Sequence, residues 1–113
     1  SGYNLFIRKN GKYGIYNINI GETIPPIYDL LIILNVLGKD LFVCKKGDKY
    51  GLIDKNNKNI LPSIFKSIIV SKGKIYITIN DEDTPVIVDI DDIKNYRNNS
   101  SRYRKDIIIN ILN

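Results

Sequence analysis

The stretch GDKYGLIDKNNKNILPSIF at residues 47–65 repeats the stretch NGKYGIYNINIGETIPPIY at residues 10–28. At a shift of 37, residues 5–29 fall on residues 42–66 without a gap, and seven of those 25 positions are identical. They are Lys9/Lys46, Lys12/Lys49, Tyr13/Tyr50, Gly14/Gly51, Asn19/Asn56, Pro25/Pro62 and Ile27/Ile64. Others keep their type, as in Ile15/Leu52, Ile24/Leu61 and Tyr28/Phe65. The match takes in turn residues as well as apolar ones, so composition alone does not produce it. A period of this size marks an array of supersecondary units, each too small to bury its apolar face without a neighbour.

Both copies parse alike. A short apolar strand, LFIRK or LFVCK, runs into a two-residue turn at Asn10-Gly11 or Gly47-Asp48. Such pairs tolerate the positive φ of tight hairpins. A second strand returns as KYGIYN or KYGLID, with a glycine inside it that predicts a bulge or a close backbone approach. A polar turn follows, then an extended segment holding Pro25-Pro26 or Pro62, where the missing N–H forbids a central place in a ladder. The apolar runs IYDLLII and IFKSIIV are each expected to form one third strand. A degraded third copy, KIYITINDEDTPVIVDI, starts at Lys74, puts Asp89 where Asn17 and Asp54 fall, and lacks the Tyr-Gly pair. Terminal repeats are often atypical because they cap the stack.

GKYGIYN…IPPIYD and DKYGLIDKNNKNILPSIF resemble the WG (KWG) repeat, with Tyr13 and Tyr50 where that family usually has Trp. The resemblance covers about residues 3–90. It implies a β-rich, repetitive fold and an interaction or scaffolding role, often in modular bacterial proteins, and it supplies no catalytic residues. The expected fold is therefore mainly β, with antiparallel hairpin and meander units and about eight short strands. Units are expected at about 3–38, 39–73 and 74–90, followed by a helical segment over residues 91–113.

That last expectation rests on a change of pattern. In DDIKNYRNNSSRYRKDIIINILN, Asp91 and Asp92 suit a helix N-terminus, and Ser101 suits a second cap. Tyr103, Ile107 and Ile111 then form an apolar stripe at helical spacing, which predicts a helix over 102–112. A strand through IIIN is the alternative. The helix is expected to close an open end of the repeats.

At 113 residues with 43% apolar and 26% charged residues, the chain suits one folded domain. Ala, Gln, His, Met and Trp are absent while Ile, Asn and Lys abound, a bias that fits AT-rich codons. Lysine and asparagine are thus partly compositional. No run of 18 apolar residues exists, so no helical membrane span is expected. The Ser1-Gly2 start reads as a remnant ahead of a fragment or a mature form.

Without histidine and with the single Cys44, Ser-His and Cys-His nucleophile pairs cannot be assembled. Cys44 reads as a small buried hydrophobe. The acids Asp81, Glu82 and Asp83 sit in a turn, where a carboxylate pair has no cleft to face, and they follow no Ca²⁺-loop spacing. No glycine-rich phosphate loop is present. The chain is accordingly read as a non-enzyme with no catalytic residue, no metal and no cofactor.

Binding is the remaining class. Residues 1–80 carry twelve bases and five acids, residues 81–92 six acids, and residues 93–113 five bases and one acid. Lys12, Lys45, Lys46 and Lys49 repeat at hairpin tips and form one candidate partner-binding set. Tyr96, Arg97, Arg102, Tyr103 and Arg104 in the tail form another. The favoured expectation is a protein partner, bound by a stand-alone binder of the inhibitor or immunity type or by one domain of a larger protein. The competing one is nucleic acid, with arginines on phosphate and tyrosines stacked on bases.

Overall fold

A computed structural model of the chain describes residues 3–36, 39–80 and 84–89, so the helix expected over 102–112 lies outside the described residues. The described part is mainly β. Its ten strands are β1 (Asn4–Lys9), β2 (Lys12–Asn17), β3 (Gly21–Tyr28), β4 (Leu30–Val36), β5 (Lys39–Lys46), β6 (Lys49–Asp54), β7 (Asn59–Phe65), β8 (Ser67–Ser71), β9 (Lys74–Thr78) and β10 (Val86–Asp89). They form three antiparallel sheets, ordered β1-β2-β3, β4-β5-β6-β7 and β10-β9-β8.

The expectation of one strand through each of IYDLLII and IFKSIIV is corrected here. Each run bends, at Asp29 and at Lys66, which are 37 residues apart. Before the bend the chain pairs backwards, β3 with β2 and β7 with β6. After it the chain pairs forwards, β4 with β5 and β8 with β9. The bend is held the same way twice, by Asp29 N donating to Lys45 O and Lys66 N donating to Thr78 O, both at 2.8 Å. Each repeat thus hands its last strand to the next sheet, which is why ten strands stand where about eight were expected.

The tight turns take the backbone that their sequences ask for. Asn10 and Gly11 have φ of 53° and 77°, and Lys72 and Gly73 have 51° and 77°, the double positive-φ turn that matches strand twist. Prolines 25, 26 and 62 fall on β3 and β7, both edge strands, where no neighbour needs their missing N–H.

The second sheet lies between the other two. Phe42, Cys44 and Ile53 pack with Ile15, Ile24 and Tyr28 of the first sheet. Leu41, Val43, Leu52 and Leu61 pack with Ile68, Ile75 and Ile77 of the third. The run Leu41-Phe42-Val43-Cys44 is buried at every position because both of its faces meet another sheet. Full burial of such a side chain contributes about 1.5–3 kcal/mol, so this strand is the main apolar anchor of the stack.

Gly14 and Gly51 have a steric reason. From Tyr13↔Tyr28 to Ile15↔Ile24, β2 advances two residues while β3 advances four, and β6 and β7 repeat this from Tyr50↔Phe65 to Leu52↔Leu61. The surplus residues on the partner strand bulge over the glycine. A Cβ on Gly14 would lie 2.5 Å from Ile24 O and 2.8 Å from both Pro25 C and Pro26 N. A Cβ on Gly51 would lie 2.6 Å from Ser63 Oγ, and 3.0 Å from Leu61 O and Ser63 Cα. The first obstacle is all backbone, whereas the nearest atom of the second is a side-chain hydroxyl that rotates away. Gly14→Ala should therefore cost about 3 kcal/mol and Gly51→Ala about half of that, as for other overpacking changes. Urea denaturation of both variants checks this, and an equal or reversed order would overturn the steric account.

Candidate functional site

The candidate site is the basic region around the β1–β2 and β5–β6 hairpin tips. Asp29, at the first bend, joins them. Its carboxylate accepts from Lys12 Nζ on one tip and from Gly47 N on the other, the latter at 2.6 Å. The Lys12 ammonium first, and then the Gly47 amide, hold the Asp29 carboxyl below its ordinary value of 3.8. Solvent reaches the Lys12–Asp29 pair, so its main effect is to fix geometry.

Around this clamp the cations are arranged in duplicate. Arg8 lies over the Tyr13 ring and Lys45 over the Tyr50 ring, each 5.5 Å from the centroid. Each cation stands directly across from its ring in register, and the two pairs are 37 residues apart. Tyr13 and Tyr50 are half-buried, Tyr13 packing against one core cluster and Tyr50 against the other. Lys46 and Lys49 stand opposite one another beside the turn, both exposed.

Of the sequence-derived candidates, Lys12 and Lys45 lie beside Asp29, whereas Lys46 and Lys49 pair across β5 and β6 on the side of the hairpin opposite to Lys45. Lys12 is engaged by Asp29, and Lys45 by Tyr50. Tyr96, Arg97, Arg102, Tyr103 and Arg104 lie outside the described residues. Asp29 was not singled out from sequence. Its only trace there is that Lys66 replaces it in the second copy.

A second feature is a cleft of about 320 Å³ between the first and second sheets. Ile15 and Phe42 line it, with Asn4, Asn17, Asp40 and Lys55 among its polar groups. Its buried amide is already committed. Asn17 Oδ1 accepts from Asn19 N at 2.9 Å and Ile20 N at 3.3 Å, and its Nδ2 donates to Asn4 Oδ1 at 3.0 Å. Asp54, the equivalent residue in the second copy, accepts from Asn56 N at 2.8 Å and Lys58 N at 3.0 Å. These side chains close the polar turns of the repeat.

Two further residues belong to the core. Cys44 is fully buried, and that burial pushes its thiol above the ordinary value. Tyr28 is buried as well, its hydroxyl donating to Asn57 Oδ1 in the next unit, and desolvation raises its pKa. Among the described residues no group of three or more His, Cys, Asp or Glu is placed to hold a metal ion, and no helix is long and apolar enough to cross a membrane.

Comparison with protein-family models, with curated proteins and with solved structures finds no match to this chain.

The depressed Asp29 carboxyl gives a pH signature. A carboxyl lowered by folding stabilises the native state above its unfolded value, and that contribution is lost as pH falls through the folded value. Asp29→Asn should therefore be less stable than the wild type at neutral pH. The two should converge as the medium is acidified below the ordinary value of 3.8. Denaturation midpoints at neutral pH and in acid check this. A gap that persists unchanged in acid would mean that Asp29 acts by shape rather than by charge.

Proposed function

We propose that this chain is a non-enzymatic protein-interaction module that presents its basic hairpin-tip face to an acidic protein surface. The observation that carries the reading is the Asp29 clamp, which sets two repeat-related basic tips side by side, one bearing Arg8 and Lys12 and the other Lys45, Lys46 and Lys49. Aromatic rings beneath two of the cations add contact area at low conformational cost, the composition favoured at protein interfaces. The resemblance to WG repeats points the same way, toward interaction or scaffolding. The module acts either as a stand-alone binder of the inhibitor or immunity type or as one domain of a larger protein.

Complementary charge governs encounter and salt dependence more than final affinity. Lys46→Glu with Lys49→Glu is the informative variant, since both side chains are exposed and neither holds Asp29. A pull-down from source-organism lysate should recover a stoichiometric protein partner. The double variant should lose at least about tenfold in affinity for that partner, and added salt should weaken the wild-type complex. Recovery of a defined small molecule or glycan without a protein would overturn the reading. So would tight binding to a single-stranded oligonucleotide at about 50 mM salt, abolished by the same variant, which would mark a nucleic-acid-binding protein instead.

A further inference from the structure

The two ends of the sheet stack are unlike, and each end matches an interface that the chain already makes inside itself. In the first sheet, Ile15 and Ile24 are directly paired on the face toward the second sheet, where they meet Phe42 and Ile53. In the second, Val43, Leu52 and Leu61 form the corresponding row and meet Ile75 and Ile77 of the third. The third sheet carries such a row too. Ile69 pairs with Tyr76 and Tyr76 with Ile87, straight across its three strands. There the row has no sheet against it among the described residues, and Ile69 and Ile87 are 60% and 56% exposed.

The opposite end is the complement. The 37-residue shift places Leu5 on Phe42 and Tyr16 on Ile53, the residues that receive the preceding sheet. Phe42 and Ile53 are buried, whereas Leu5 and Tyr16, paired across β1 and β2, are 49% and 43% exposed. β1 is also an edge strand, although its counterpart β5 has β4 alongside.

We propose that the chain associates head to tail with second copies of itself, the Ile69–Tyr76–Ile87 face of one copy seating on the Leu5–Tyr16 face of the next. The contact continues the operation that stacks the first sheet on the second and the second on the third. It is heterologous, with different surfaces on the two partners, so association is open-ended unless the rotation closes a ring. It uses the stack ends and not the hairpin-tip face, and its failure leaves the proposed function untouched.

The experiment uses two variants of the full chain, each altered at one end only. One carries Leu5→Lys and Tyr16→Lys, the other Ile69→Lys and Ile87→Lys, all at exposed strand positions. Light scattering coupled to size exclusion should show the wild-type mean mass rising with concentration to at least about twice the monomer mass. Each variant alone should stay monomeric, and an equimolar mixture should form a 1:1 dimer, since one intact face of each kind remains. A wild type that stays monomeric up to millimolar concentration would overturn the proposal, whether the faces are covered by residues 90–113 or by nothing. Variants that each still self-associate would overturn it as well, because that requires a like-to-like contact. The wild-type series needs no folded variant, and circular dichroism checks that both variants keep their strands.

Discussion

The approach of one backbone to another at Gly14 and Gly51 is the constraint on which the rest depends. Removing a side chain at these two points lets the surplus residues of β3 and β7 cross directly over β2 and β6. A bulge bends its strand and increases the local twist. The bent strand then leaves its own sheet at Asp29 or Lys66 and continues as the first strand of the next. One missing Cβ per repeat thereby separates a flat meander from a stack of sheets linked by shared chain. Proline suits the crossing because its fixed φ keeps the segment extended and an edge position leaves no N–H to satisfy.

Handing a strand forward ties neighbouring sheets together by hydrogen bonds and by side chains at once. The apolar part is carried by β5, buried on both faces. The polar part sits in the turns, where Asn17 and Asp54 accept backbone amides that would otherwise be orphaned. Among the described residues no buried side-chain nitrogen or oxygen lacks a partner, so the polar turns add little penalty to the apolar core. The third sheet departs from this scheme. Asp89 stands opposite Lys74 in register, as Asp54 stands opposite Leu41, but it is exposed and pairs with the Lys74 ammonium at 2.9 Å. That pair raises the Lys74 pKa, chiefly through the hydrogen bond.

The same translational logic explains the surface. Residues that bury in the middle of a stack are exposed at its ends, so Leu5, Tyr16 and Ile87 look like misplaced core residues only until their equivalents Phe42, Ile53 and Leu52 are considered. The basic tip face is the opposite kind of feature. It is lateral, it recurs with the repeat, and the Asp29 carboxylate keeps its two halves together without burying the cations that flank it.

The sequence by itself determined the β class, the 37-residue period, the hairpin turns and the role of the glycines, because each rests on local chemistry: alternation, positive φ and the space a Cβ takes. It also placed Cys44 and the tip lysines correctly on strands and at turns. It did not reveal that the chain bends at Asp29 and Lys66, since one charged residue inside an apolar run also fits a continuous strand, and the bend arises only when the two halves find different partners. The cleft at Asn17, the clamp at Asp29 and the double burial of Leu41 to Cys44 were equally hidden. Each depends on which sheet lies against which, and that is decided by packing between residues far apart in the chain.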